Sequence, residues 1–290
     1  MESQKTSEAL KWSHPDAELY IPDGQPAEAA LKRTTHLGIG AHPDDLEFMA
    51  WKGILDCRGN ANQWFTGVTV TDGGGYARDA QSAKLSTEEI CRIRRGEQNK
   101  AAALGEYGAM ANLGFTSDEI KSRHPGIQED LKQILRLAAP KTVFTHNPAD
   151  KHDTHVALCV AVVEAIRALP AAERPEALYG CEVWRGLDWM PDEQKVAFDV
   201  SGEEKFMSSL MAVYASQLRG KRYDSATLGR KHANATYHTS HSSDRCNAME
   251  YAMDLTPLIR NDRLSVQEYA TGIVRKFEAD VAARIAKYSH

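Results

Sequence analysis

Two short runs in the chain bring together side chains that can bind a metal ion and move protons. The first run, residues 41–47, places the imidazole of His42 close to two adjacent carboxylates, Asp44 and Asp45, directly after the apolar residues 37–40. An imidazole and a carboxylate can bind one metal ion while the second carboxylate remains free to move protons. This run predicts metal-assisted hydrolysis.

The second run, residues 145–155, contains His152 and His155, whose spacing of three places both on one face of a helical turn. Taking His42, Asp45 and His155 as the ligands gives two imidazoles and one carboxylate. That set suits zinc and leaves one coordination position open for water, as catalytic zinc sites do. The same ligands can also bind Fe2+, Co2+ or Mn2+, and the sequence does not choose among them.

Alternating strands and helices are predicted to position both runs. Strands are expected at 36–41, 64–71, 109–113, 141–145, 178–184 and 196–200, and helices at 46–57, 87–104, 127–137, 154–169, 203–217 and 264–286. This alternation indicates right-handed βαβ units, and therefore an α/β fold with a mainly parallel sheet. We expect residues 1–35 to form an N-terminal arm and residues 36–290 to form a single domain.

The composition excludes several classes of partner. A net charge of −5 and a pI near 6.1 argue against nucleic-acid binding, which usually requires a basic face. No stretch approaches the roughly 20 apolar residues that a membrane span needs, and the first residues do not resemble a signal peptide. We therefore expect a cytoplasmic protein that acts on a small molecule.

The chain resembles the LmbE/PIG-L family of metal-dependent N-deacetylases. The matching motifs are residues 41–47, the pair Arg94-x-x-Glu97 followed by an alanine-rich helix, and the H-x-x-H of residues 152–155. The motifs come in the family's order, and the resemblance covers residues 36–184. It implies a Rossmann-like three-layer sandwich with the active site at the C-terminal ends of the strands. It also suggests association into homo-oligomers.

The resemblance implies a role for each reacting group. The enzyme would be a zinc-dependent N-deacetylase that removes an N-acetyl group from an amino sugar or an N-acetylglucosamine-containing glycoconjugate, with a metal-bound water as the nucleophile. Asp44 would be the general base that takes a proton from this water. His152 would stabilise the oxyanion or protonate the leaving amine.

Two further residues would contact the substrate. Arg94 matches the family's sugar-contacting arginine, and Asp118 lies near the position of an acidic residue that binds sugar hydroxyls. Two alternatives stay open: an amidase acting on a non-sugar amide, such as a thiol conjugate or an antibiotic intermediate, and a non-catalytic metal-containing protein that binds carbohydrate.

For two other groups of polar residues, the sequence predicts a less specific role. Glu47 follows the first run, and we expect it to orient His42. His232, His238 and His241 lie in a polar stretch that could line the mouth of the active site, but we expect a mobile loop.

Overall fold

The computed structural model of the protein describes residues 10–75 and 82–289. Within these residues, the strands in chain order are β1 (Glu18–Tyr20), β2 (His36–Gly40), β3 (Phe65–Thr71), β4 (Ala109–Phe115), β5 (Thr142–His146), β6 (Ala177–Cys181), β7 (Lys195–Asp199) and β8 (Met249–Asp254). The helices are α1 (Ala27–Lys32), α2 (Asp45–Met49), α3 (Trp51–Cys57), α4 (Thr87–Leu104), α5 (Ser117–Lys121), α6 (Pro125–Ala138), α7 (Asp153–Arg167), α8 (Glu204–Met211), α9 (Ala215–Leu218), α10 (Tyr223–Tyr237), α11 (Thr256–Arg260) and α12 (Val266–Tyr288).

The described strands form one sheet in the order β1-β4-β3-β2-β5-β6-β8-β7. The five central strands, from β4 to β6, run parallel, whereas β1 and β8 each pair antiparallel with their neighbours. The prediction of a mainly parallel sheet in a three-layer α/β fold is therefore confirmed.

Helices cover both faces of the sheet because the inner strands are buried on both sides. Successive strand residues face opposite layers: Val143 packs in one apolar cluster with side chains of α6 and α7, and Phe144 packs in the other with side chains of α3 and α8. All seven residues of β3 and all seven of β4 are buried. Packing in the core thus fixes the position and direction of the strands that precede the two runs.

The predicted helix over 46–57 is wrong in one respect, because it is broken at Ala50 into α2 and α3. The indole Nε1 of Trp51 donates to Glu47 O at 2.6 Å, the carbonyl that the Trp51 backbone N–H would use in a continuous helix. The Trp51 backbone N–H donates instead to Glu250 Oε2 at 3.1 Å. A carboxylate from β8 therefore redirects the chain at this point.

The ends of the chain contain elements that the sequence did not predict. Within the expected arm, residues 1–9 lie outside the described residues, β1 adds an edge strand to the sheet beside β4, and α1 follows it.

The expected loop with three histidines is also corrected, because His232 lies within α10 and His238 Nδ1 lies 3.0 Å from Tyr251 Oη. In the described part of the chain, no helix is long and apolar enough to cross a membrane.

Candidate active site

The two runs meet at the carboxyl edge of the sheet. β2 and β5 are neighbouring parallel strands, so the turn after β2 and the loop after β5 leave the sheet side by side. The first turn carries His42 and leads into α2, and the second loop leads into α7, whose first turn carries His155. Ligands of open α/β sheets bind at this edge.

Three ligand atoms, from the residues that the sequence proposed as metal ligands, converge at this edge. His42 Nδ1 lies 3.1 Å from Asp45 Oδ2 and 3.2 Å from His155 Nε2, and His155 Nε2 lies 3.4 Å from Asp45 Oδ2. Ligand atoms placed about 2.0–2.1 Å from a tetrahedral zinc ion are about 3.3 Å apart, so these separations match a shared cation. The donor set therefore fits a divalent metal ion.

Two more imidazoles extend this cluster. The ligand atoms of His42, His152 and His155 lie within 4.8 Å of one another, and so do those of Asp45, His146 and His155. His146 is fully buried, and its Nε2 accepts a hydrogen bond from Ala41 N at 2.9 Å. That bond engages the Nε2 lone pair that would bind a metal, so His146 packs against the cluster without serving as a ligand.

Asp150 holds His155 in place. Its Oδ2 lies 3.2 Å from His155 Nδ1 and accepts a hydrogen bond from Trp184 N, while its Oδ1 accepts one from His152 N. A carboxylate on the far nitrogen of a ligating histidine fixes its tautomer and orientation. Sequence reasoning missed both Asp150 and His146, although both lie in the second run. The available signal was a histidine at the end of β5 and an acid in the loop before α7, the helix that carries His155.

Burial and neighbouring charges set the protonation of the ligand atoms. Burial alone would raise the pKa of Asp45, but the imidazoles of His155, His146 and His42 hold it well below its usual range. Burial likewise opposes protonation of His155, yet Asp45 and Asp150 raise its pKa to about 9. Without a metal ion, the Asp45 carboxylate and the protonated His155 thus stabilise each other, and a bound cation would take the place of that proton.

Asp44 lies beside the point where the proposed ligand atoms converge, in an unusual backbone conformation. Its φ of 105° and ψ of −27° are left-handed, a region that non-glycine residues rarely adopt and that is concentrated at functional sites. The side chain lines the cavity described below. Burial and the adjacent Asp45 carboxylate raise the pKa of Asp44 well above its usual range. A carboxyl with this environment can hold a proton that it has taken from water.

His152 also lies beside the point where the proposed ligand atoms converge. Its ring centroid is 5.0 Å from that of His42 and 4.5 Å from that of His155. Burial and these two rings lower the pKa of His152 to about 4, so its imidazole is neutral near pH 7. Its Nδ1 is buried and has no hydrogen-bond partner in the part of the chain that the structure describes. This nitrogen is available to a substrate or a metal ion.

A cavity of ≈ 490 Å³ opens onto this cluster. His42, Asp44, Asp45 and His152 form one side of it, and residues between 182 and 231 form the other. On that other side the Trp184 ring lies 5.9 Å from the His152 ring, and Lys221 Nζ lies 4.6 Å from the centroid of Trp184. The cavity is large enough for a sugar-sized molecule, with an aromatic surface next to the reacting groups.

The two residues predicted to contact substrate have different surroundings. Arg94 is buried at 2% exposure and lines the cavity, but its guanidinium also donates to the backbone carbonyls of Gly73 and Pro43. The structure does not bring Asp118 to the cavity: its side chain is 91% exposed and pairs with Lys121. A capping box starts α5 just before Asp118, and the helix turns this carboxylate towards solvent.

Glu47 does not orient His42, contrary to the expectation. Its carboxylate accepts hydrogen bonds from Tyr107, Tyr214 and Gln98 at 2.8, 2.6 and 3.1 Å. Burial raises the pKa of Glu47 to about 7. Glu47 therefore ties α2 to the layer behind it instead of reaching the ligand cluster.

Comparisons with known proteins show a related family and a related sequence. Residues 37–166 match the family described as PIG-L, GlcNAc-PI de-N-acetylase. The chain is 25% identical over 163 residues to the uncharacterized deacetylase YaiS of Escherichia coli K12, an alignment that covers 52% of this chain and 77% of YaiS.

Solved structures share the fold at low identity. The N,N'-diacetylchitobiose deacetylase of Pyrococcus horikoshii is 18% identical, with a TM-score of 0.58 over 75% of this chain and 83% of that one. The 4-carboxy-2-hydroxymuconate hydratase GalB of Pseudomonas putida KT2440 is 16% identical, with a TM-score of 0.58 over 77% and 96%. Since this fold also occurs in a hydratase, the fold alone does not define the reaction. Residues 37–166, which hold all the candidate ligands, are therefore similar to a family of de-N-acetylases.

Proposed function

We propose that this protein is a metal-dependent hydrolase that removes an N-acetyl group from an amino sugar or an N-acetylglucosamine-containing glycoconjugate. The observation that carries the proposal is the convergence of His42 Nδ1, Asp45 Oδ2 and His155 Nε2 within 3.4 Å of one another, beside the carboxyl of Asp44 and at the end of a cavity. The family of the segment 37–166 supports the choice of an acetamide as the bond that is cleaved.

We assign His42, Asp45 and His155 as the residues that hold the metal ion. Two nitrogen donors and one carboxylate suit zinc, and also Fe2+, Co2+ or Mn2+. When bound, such an ion supplies Lewis-acid chemistry, by lowering the pKa of water and by polarising the acetamide carbonyl. Asp150 would keep His155 in the tautomer that presents Nε2 to the ion.

The chain's own residues would manage the protons. Asp44 takes one proton from the attacking water, and its buried position favours holding that proton. His152, neutral before the reaction, lines the same cavity as Asp44 and donates a hydrogen bond to the oxygen that becomes negatively charged. The nitrogen then receives the proton held by Asp44 and the C–N bond breaks, which gives acetic acid and the amine. A proton passes from the acid to the amine, so that the products leave as acetate and an ammonium ion.

The cavity supports a substrate with a ring next to the acetamide. Trp184 offers a flat aromatic surface beside His152, and rings of sugars and of aromatic compounds both pack on such surfaces. Arg94 borders the same cavity, so we retain it as a residue that faces substrate, whereas the exposed Asp118 has no part in the proposal.

The aromatic side of the cavity also favours a second candidate, an amidase acting on a non-sugar acetamide that carries an apolar ring. Phe48, Trp184 and Tyr223 all line the cavity, and the ring centroids of Phe48 and Tyr223 are 5.6 Å apart. This second candidate uses the same metal ligands and the same proton transfers.

Acetate release from a panel of N-acetyl compounds tests both candidates. The panel contains N-acetylglucosamine, a neutral glycoside of it, N,N'-diacetylchitobiose and N-acetyl aromatic amines, each with metal-loaded protein and with chelator-treated protein. We expect acetate from the sugar compounds, loss of release with the chelator, and recovery when Zn2+ is added back. Release from only the aromatic amines would support the second candidate, and no release from any compound would contradict both.

A further inference from the structure

The peptide that precedes Asp44 is held by two side chains from different helices. Pro43 O accepts a hydrogen bond from Gln217 Nε2 at 2.8 Å and another from Arg94 Nη2 at 3.0 Å. All these groups are buried. A carbonyl oxygen has two lone pairs, and both are used here, so the peptide plane cannot rotate without breaking both bonds.

That peptide determines where the Asp44 carboxylate points. Asp44 has a φ of 105°, and relaxation to an ordinary φ requires rotation of the plane that carries Pro43 O. On the other side of this plane, Asp44 N donates to Gln98 Oε1 at 3.2 Å. Three side chains thus oppose the relaxation of one strained residue.

Gln217 is itself held in a rigid frame. Its neighbour Ser216 donates through N and Oγ to the Glu97 carboxylate, at 2.8 and 2.5 Å, which ties α9 to α4. Arg94, Glu97 and Gln98 lie on one buried face of α4. The helix that holds Gln217 in place therefore also carries Arg94 and Gln98, the other two side chains that hold the Asp44 turn.

We propose that Gln217 is a positioning residue, which holds the strained turn at Asp44 so that its carboxylate faces the attacking water. The inference rests on the proposed function, because it assigns Asp44 the role of base. Gln217 lies outside the segment 37–166 that matches the family. Its contribution comes from a part of the chain that no motif in the sequence identified.

Gln217→Met tests the inference, because methionine has a similar shape but lacks the N–H donor. A misplaced catalytic group lowers turnover strongly, so we expect kcat to fall about 10- to 100-fold, while KM changes less than about threefold and bound metal is unchanged. Gln128→Met is the matched control, since Gln128 Nε2 donates to Ala161 O at 2.9 Å, away from the cavity lining. The control removes the same kind of bond, and its kcat should remain within about twofold of the wild-type value.

A crystal structure of metal-free Gln217→Met supplies a readout that does not depend on activity. We expect Asp44 to leave the left-handed region or its side chain to turn away from the cavity. An unchanged Asp44, together with a kcat equal to that of Gln128→Met, would overturn the inference. If Gln217→Met does not fold, Gln217→Lys retains a donor, and a structure in which its ammonium binds Pro43 O with Asp44 unchanged and normal kcat supports the inference. A displaced Asp44 with normal kcat would overturn it. Failure of the wild-type protein to release acetate would instead contradict the proposed function and leave the structural comparison valid.

Discussion

The two sides of the cavity are built in different ways. The metal side is formed by His42, Asp44, Asp45 and His152, which lie in the segments that follow the neighbouring parallel strands β2 and β5. The far side consists of residues 182–231, which reach the cavity from α9, α10 and the loop after β6. On the metal side, the position of each group follows from a strand end, whereas on the far side it follows from contacts between distant elements.

The metal side would carry out the chemistry, and the far side would select the substrate. Ligands and base must be placed within tenths of an ångström, and strand ends within a buried sheet provide that rigidity. The far side presents an aromatic surface to whatever is attached to the acetamide, and it can vary without disturbing the ligands. Changes on the metal side should therefore affect metal binding and kcat. Changes on the far side should mainly affect KM, except at Gln217, which contacts the Asp44 turn through Pro43 O.

The largest effect is expected for Asp45→Ala on the metal side. Removal of this ligand also leaves His155 without one of the two carboxylates that raise its pKa. We expect the protein to lose bound metal after dialysis, and acetate release to fall by about 10³-fold or more. Metal content measured by atomic emission checks this, and a variant that keeps both metal and activity would show that Asp45 is not a ligand.

Asp150→Asn should have a smaller effect on the same side. Its carboxylate contacts His155 Nδ1 at 3.2 Å, and loss of such a partner weakens metal affinity about 10- to 100-fold. Competition with a chromophoric chelator measures the Kd for zinc. An unchanged Kd would mean that Asp150 acts only on the conformation of the loop, through its hydrogen bonds to the backbone.

Trp184→Ala tests the far side. Loss of the aromatic surface should raise KM about fivefold, with kcat within about threefold of wild type, since an aromatic contact contributes about 1 kcal/mol. Trp189→Ala is the control, because Trp189 packs against Phe277 and is not among the residues lining the cavity. Equal KM values for the two variants would remove Trp184 from the substrate surface.

The smallest effect is expected for Asp118→Ala. The side chain is exposed and pairs with an exposed lysine on its own helix, so kcat/KM should remain within about twofold of wild type. Steady-state kinetics on the best substrate of the panel check this. A fall of tenfold or more would restore Asp118 as a sugar-binding residue and require that α5 move on binding.

Local signals in the sequence predicted much of the metal side. The predicted helix over 87–104 is confirmed as α4, where Ser86 and Glu89 form a capping box, and the strands before both runs lie where the sequence predicted. The break at Ala50 was not predictable, because its cause is Glu250, which is 199 residues from Trp51.

The far side could not be predicted for the same reason. Trp184 reaches the cavity from the loop after β6 and Gln217 reaches it from α9, through packing against the rest of the molecule, and neither residue lies in a motif. Helix α10 was missed because its sequence is polar and has no clear apolar periodicity. Asp118 was misplaced because its position in sequence does not show which way α5 turns its first residues.

The central claim is that Asp44 moves the proton while its neighbour Asp45 holds the metal, and Asp44→Asn tests it most directly. Bound metal and acetate release are measured on the same preparations of wild type and variant. We expect the variant to keep about one equivalent of metal while kcat falls about 10²- to 10⁴-fold, since only the base has been removed. Near-normal turnover by a metal-loaded Asp44→Asn variant would contradict it.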